Sequence, residues 1–392
     1  MTQRLAILCS GQGGQGAAML PLLQSDAVAW QCWQSLEQGW RLEAESAGGM
    51  ISGGSAASDN LPQTLDDATN SSPLVRTASA PQATYISTNI PAWSDLLHTD
   101  ARFQNAYAQV LVVAFGLAAW QALQPVLPQP ALVAGYSVGE MTALAVAGAL
   151  EPPAVLRLTQ QRAMLMDAAA SAAASATANA AEGALGSAAG SGFGSATTCL
   201  VQHSSDEPRD QGLLALTGTP WRPLAAHILA AGAFIAIDNG EQSCVLGGYR
   251  HVLASLAPYL RAHGGQTQEV AVSVAAHTPL LVSAAAPFLQ LLQQQTWQRA
   301  SCPALAALDA RRLIRFDTGC VSMAQALHDT IHWADAMDAL AEGGIGVALE
   351  LGPGSSLTHM LQQRHPGIAC RSLADFRSLQ AAREWLERQL AA

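Results

Sequence analysis

The chain of 392 residues contains no lysine; all 19 of its basic residues are arginine. That absence excludes Schiff-base catalysis, pyridoxal phosphate attachment and the lysine of a Walker-type phosphate loop. Any anion must be held by arginine, by backbone N–H groups or by helix ends. The longest apolar runs read as too short to span a bilayer. Leu5 to Cys9 has strand length and is followed by glycines, without the longer apolar core of a signal peptide. A cytoplasmic soluble protein with no membrane partner is therefore expected. The seven cysteines are odd in number and include no Cys-x-x-Cys pair, which argues for reduced, buried thiols rather than a disulfide frame or a zinc site. A formal net charge of −10 argues against nucleic acid as a partner, since phosphate binding needs a basic surface. Half the residues are hydrophobic, enough for a sizeable core in one large domain with an inserted subdomain, or in two domains.

The most informative stretch runs from Leu132 to Leu150. Ala131 to Ala134 reads as the end of a buried strand, Gly135-Tyr-Ser-Val-Gly139 as a sharp turn, and Glu140 onward as a helix of small apolar residues. Strand, Gly-x-Ser-x-Gly turn and helix together make a nucleophile elbow, in which Ser137 sits at a helix N-terminus. Glycines two residues to either side leave room for the neighbouring backbone. The N–H of Val138 points the same way and is a candidate oxyanion donor. The bare motif also occurs as a structural turn; the flanking strand and helix favour the nucleophile.

Taken in order, Leu5–Cys9 is a strand and Gly11-Gln-Gly-Gly-Gln-Gly16 a tight loop before a helix. Its glycine spacing matches a dinucleotide fingerprint. No second strand ending in an acidic residue follows, so the loop is read as delivering Gln12, with its side-chain amide, to a neighbouring strand end. Residues 41–84 are rich in Ser, Gly, Ala, Asn and Asp and read as an exposed insertion. A long apolar helix is expected from about Asn105 to Leu123. Ala154 to Ala170 reads as a helix carrying Arg162, placed to return toward Ser137; taken alone, such an arginine also suits a solvated helix face. The Ala/Gly/Ser tract from 168 to about 205 reads as a flexible loop. Between Leu213 and Val274 the pattern is strand-helix-strand-strand-helix-strand, the ferredoxin-like plan. Ala275-Ala-His-Thr-Pro279 then places His277 in a fixed loop after a strand, and Val347–Leu351 is another strand.

These pieces resemble the malonyl-CoA:acyl carrier protein transacylases. The resemblance rests on five motifs in order: Gly11-Gln-Gly-Gly-Gln15, Gly135-Tyr-Ser-Val-Gly-Glu140, Gln161-Arg162-Ala-Met164, Ser273-Val-Ala-Ala-His277 and Glu350-Leu-Gly-Pro-Gly354. It implies an α/β-hydrolase-like core with a parallel sheet and an inserted ferredoxin-like (βαββαβ) small subdomain. The expected division is 1–205 and 275–392 for the large subdomain and 206–274 for the small one, with flexible insertions at 41–84 and 168–205. It implies malonyl transfer from malonyl-CoA to a holo acyl carrier protein, with no cofactor and no metal. It makes Ser137 the acylated nucleophile, His277 its base, Gln12 and Val138 the oxyanion donors and Arg162 the partner of the malonyl carboxylate. Asn239 would line the cleft. His332 stands where the family has the glutamine of a Gln-Trp pair, which leaves its role open. The stretch Arg371 to Arg377 is similar to transacylase subunits of malonate decarboxylases, and subunits of such a complex are possible partners.

Two other readings stand beside this one. An α/β-hydrolase-type esterase or thioesterase shares the elbow but needs an acid to orient its histidine. Its candidates, Asp206, Asp210 and Asp238, lie away from core strand ends. A non-catalytic, carrier-binding subunit would have no need of Ser137, Arg162 and His277 together. Arg311, Arg312 and Arg315 form the densest basic cluster and read equally as a docking patch or a solvated loop.

Overall fold

A computed structural model describes residues 3–52, 91–184 and 210–391. Its centre is a six-stranded sheet. In order across the sheet the strands are β11 (Ala369–Ser372), β10 (Ile345–Leu351), β1 (Arg4–Cys9), β2 (Leu132–Gly135), β7 (Ala304–Leu305) and β8 (Arg312–Leu313). All neighbours are parallel except β7 and β8. Parallel strands covered by helices on both faces are buried throughout, which is why β1, β2 and β10 read as unbroken apolar runs.

A second sheet has the order β6 (Gln266–Val270), β3 (Gln211–Thr217), β5 (Ser243–Tyr249), β4 (Phe234–Gly240) and β9 (Ile331–His332). The first four are antiparallel and, with the helices Ala225–Ala230 and Arg250–Ala262, complete the βαββαβ unit. That unit has its own apolar cluster, from Leu214 to Leu260, while Leu213, Ala236, Ile237 and Val245 pack into the main core. The fifth strand, β9, comes from the C-terminal half and pairs in parallel with β4 through Ile237 and Asp238.

Three expectations need correction. The expected insertion at 41–84 begins as helix, because Ala27–Ser52 is continuous; residues 53–84 lie outside the described residues. The tract from 168 likewise continues the helix Pro152–Ala184, and 185–205 lie outside the described residues. Alanine has the highest helix propensity of any residue, so a run of small residues that reads as loop propagates a helix already nucleated. The third concerns length: Asn105–Val126 is 22 residues with mean hydropathy 1.6, long and apolar enough to cross a membrane. In the fold 83% of its apolar window is buried, as the central helix of the core. Its apolar character on every side follows from being surrounded.

The motif Glu350-Leu-Gly-Pro-Gly354 is structural in this fold. Glu350, at the end of β10, is 1% exposed. It accepts from the Ser10 hydroxyl at 2.7 Å and from the Thr358 N–H at 2.9 Å, capping the helix Ser356–Arg364 and tying it to the end of β1. A Cβ on Gly352 would lie 1.8 Å from Ser10 Oγ, so that position must be glycine. Glu350→Ala leaves these buried donors unsatisfied. It should lower unfolding free energy by about 2–4 kcal/mol. Urea denaturation of wild type and variant gives the difference directly.

Candidate active site

The turn after β2 is held by close backbone approach. A Cβ on Gly135 would fall 2.3 Å from Glu140 N, and one on Gly139 would fall 2.0 Å from the carbonyl oxygen of Cys9. Between them Ser137 takes φ of 55°, a left-handed conformation that costs a non-glycine residue about 1–3 kcal/mol. The helix Gly139–Val146 starts immediately afterwards. The strain turns the serine side chain away from the helix it precedes.

His277 is the second strained residue, with φ of 63°. Its backbone N–H donates to Leu327 O at 2.9 Å, and Thr278 Oγ1 donates to Ala275 O at 2.7 Å, which fixes the loop. The ring Nε2 lies 2.8 Å from Ser137 Oγ. Nδ1 faces the carbonyl oxygen of Ala326, which can only accept. Nδ1 therefore carries the proton in the neutral ring, and Nε2 is free to take the serine proton. A carbonyl fills the place of a triad carboxylate. Asp210 O instead accepts from Arg250 N, Asp238 is bonded to Arg222 and to Gly240 N, and Asp206 lies outside the described residues.

The oxyanion candidates sit beside this pair. The N–H of Val138, at the start of the elbow helix, has no acceptor among the described residues. Gly11 packs against the elbow; a Cβ there would be 3.0 Å from Tyr136 O and 3.7 Å from Ser137 Cβ. The loop after β1 thus runs beside the elbow, with Gln12 next in the chain after Gly11. The Gln12 side-chain amide donates to Asn105 Oδ1 at 3.2 Å, while its backbone N–H has no acceptor among the described residues. The backbone N–H is accordingly the group of Gln12 suited to an oxyanion.

Arg162 is 4% exposed. Its Nη1 donates to Gln109 Oε1 at 2.6 Å and meets Met166 Sδ at 3.2 Å. No carboxylate lies within ion-pair distance of it among the described residues. Burial lowers its pKa to about 10, opposed by the charge of Glu140. Glu140 is itself buried, accepts from Ala307 N at 3.2 Å, and is pushed up by burial to about 7. A buried guanidinium with only neutral direct partners is a site prepared for an anion.

Asn239 lies at the end of β4, where its Oδ1 accepts from Tyr136 OH at 3.3 Å. Tyr136 also meets Trp333 edge-on at 5.3 Å between centroids. His332 is placed differently: its half-exposed ring is 4.0 Å from Asp238 Oδ2 and bonds to neither Ser137 nor His277. Of the basic cluster, Arg311 pairs with Asp309 at 2.6 Å and Arg315 with Asp317 at 2.7 Å, so much of its charge is met locally. The sequence reading did not single out Asn105, Gln109 or the Ala326 carbonyl. The first two had a signal, as amides within an apolar helix; a backbone carbonyl has none.

The fold is thus an α/β-hydrolase-like core with a parallel sheet and an inserted βαββαβ unit, in which an elbow serine meets a histidine whose ring is oriented by a carbonyl. No protein-family model matches the chain. Among curated relatives, the malonyl CoA-acyl carrier protein transacylase of Bacillus subtilis is 25% identical over 297 residues, covering 73% of this chain and 64% of that protein. The transacylase of the same name from Haemophilus influenzae is 22% identical over 281 residues, covering 71% and 80%. The chain also matches much larger polyketide synthases, of whose length it spans only a small part: 9% for the hybrid synthetase acdB of Aspergillus candidus. Among solved structures, FabD from Acinetobacter baumannii superposes with a TM-score of 0.70 at 16% identity over the whole of both chains.

Burial lowers the His277 pKa to about 3, with the nearby Arg162 charge acting in the same direction and the Ala326 bond opposing. The ring then stays neutral far below the usual histidine range. Acylation should therefore change less than about threefold between pH 8 and 5.5, where a base of ordinary pKa would lose about tenfold. Burst amplitudes and rates across that range test this. Stability carries the opposite cost: between about 3 and 6.5 the unfolded chain binds the extra proton, so the His277 contribution to stability falls as pH drops through that window.

Proposed function

We propose that the protein transfers a malonyl group from malonyl-CoA to the thiol of a holo acyl carrier protein through a Ser137 acyl-enzyme. The observation that carries this reading is a buried Arg162, with no carboxylate at ion-pair distance among the described residues, whose charge acts on the histidine of a serine–histidine pair 2.8 Å apart. His277 Nε2 takes the serine proton as Oγ attacks the thioester carbonyl. The oxyanion is met by the backbone N–H groups of Val138 and Gln12, each such donor contributing about 3–4 kcal/mol. The thioester C–S bond breaks, His277 returns the proton to the departing thiolate, and the malonyl ester remains on Ser137. The carrier thiol then attacks that ester, with the proton passing through His277 in the reverse sense. Arg162 holds the free carboxylate throughout by charge-assisted hydrogen bonds, for which a guanidinium is geometrically suited. The relatives named as malonyl CoA-acyl carrier protein transacylases support the assignment. The absence of a carboxylate against His277 Nδ1 disfavours the esterase reading among the described residues.

Radiolabelled malonyl-CoA should label the wild type stoichiometrically and leave Ser137→Ala unlabelled but folded. Label on the variant at wild-type level would remove Ser137 from the mechanism. Transfer should then be assayed with a fatty-acid-type carrier and with the carrier subunit of a malonate decarboxylase, since the stretch Arg371–Arg377 resembles that branch.

Arg162→Ala should cut malonyl kcat/KM by two to four orders of magnitude, the equivalent of about 3–5 kcal/mol for a desolvated ion pair that loses one partner. Acetyl transfer should hold or rise. Equal losses for both thioesters would mean that Arg162 supports the fold or the coenzyme A moiety instead.

A further inference from the structure

The helix Asn105–Leu123 is buried over most of its length, yet two of its buried positions are amides: Asn105 at 2% exposure and Gln109 at 0%. A buried amide is costly unless every polar atom has a partner. Here the partners form a directed chain. Asn105 Nδ2 donates to Asp167 Oδ1 at 2.9 Å and to Ala163 O at 3.1 Å, both groups that accept. Its Oδ1 must therefore face the other way, where it accepts from Gln109 Nε2 at 2.7 Å and from Gln12 Nε2 at 3.2 Å. With Nε2 committed, Gln109 can present only Oε1 to Arg162 Nη1, at 2.6 Å. A flip of either amide would set donor against donor. The chain of contacts thus links the arginine and the Gln12 loop to one anchor on the Arg162 helix.

We infer that Gln109 is the specificity-determining positioning residue of this site: oriented by Asn105, it aims the Arg162 guanidinium with a neutral acceptor and so leaves its positive charge for the carboxylate of a dicarboxylic monothioester. A glutamate at the same position could make the same contact but would neutralise the arginine within the protein. The arginine would then be satisfied before substrate arrived, and an incoming carboxylate would meet a like charge. This inference rests on the malonyl reading of the site and adds to it the origin of selectivity.

The test is Gln109→Glu, a substitution of nearly equal volume, with Gln109→Leu, Arg162→Ala and the double variant Gln109→Glu/Arg162→Ala. For each, kcat and KM are measured for malonyl-CoA and acetyl-CoA with holo carrier protein, and near-UV circular dichroism checks the fold. Gln109→Glu should lower the malonyl-to-acetyl ratio of kcat/KM by about 10- to 100-fold, the range of couplings between contacting charged groups, mostly through malonyl KM. Gln109→Leu should lower the ratio less, because the charge survives although its aim is lost. In the Arg162→Ala background, Gln109→Glu should change the ratio by less than about threefold, since its effect runs through the arginine. A folded Gln109→Glu enzyme with an unchanged ratio would overturn the inference while leaving malonyl transfer intact. So would an effect of the same size with and without Arg162. Wild-type enzyme with no preference for malonyl over acetyl would instead overturn the reading beneath it, and this inference with it. Should Gln109→Glu fail to fold, the Gln109→Leu ratio and its dependence on Arg162 decide: no change in ratio overturns the proposal.

Discussion

The site depends on one close approach, that of the Gly139 backbone to the carbonyl of Cys9 at the end of β1. It lets the chain turn back from β2 over the neighbouring strand within four residues. Much of the candidate site follows from that turn: the left-handed Ser137, the Val138 N–H, which has no acceptor among the described residues, and the helix start behind it. The same strand end supports the Glu350 cap through Ser10. The end of β1, in the middle of the sheet, therefore carries both the turn that positions Ser137 and the bracing that keeps it in place. Strain of this size is tolerated because the surrounding backbone has no alternative path.

The second constraint is the low polarity of the cleft. Burial acts oppositely on the acids and bases that line it. It lowers His277 and Arg162 and raises Glu140. A histidine kept neutral is a ready base, and an arginine short of counter-charge is a ready anion receptor. Glu140, raised to about 7, carries less charge beside Arg162 than a carboxylate of ordinary pKa would. Above that pH, as the carboxylate ionises, its charge opposes an incoming anion more strongly. Folding stability also carries its signature: the folded chain binds the extra proton between about 4.5 and 7, so the Glu140 contribution falls as pH rises through that window.

Much of this was legible in the sequence because it is written in local patterns. The elbow needs glycines at fixed offsets, and the βαββαβ unit shows as alternating apolar periods with turn residues between them. The first parts of the two small-residue tracts, 41–52 and 168–184, misled, since serine and alanine serve loops and helices alike and only the preceding helix decides. Asn105 and Gln109 lie in a run so apolar that core packing seemed the whole account; their partners are 58, 62 and 53 positions away, at Ala163, Asp167 and Arg162. The role of Ala326 had no side-chain trace. Gln12 was legible as a candidate, but not that its side-chain amide would be taken up by Asn105.

β9 belongs by chain order to the large unit and by hydrogen bonding to the small sheet, and it runs without a break into the helix that begins at Trp333. Trp333 packs on Tyr136, the residue before the nucleophile. The two walls of the cleft are therefore stitched rather than merely apposed. A hinge that swung the small unit outward would have to tear a ladder of main-chain bonds or drag the elbow with it.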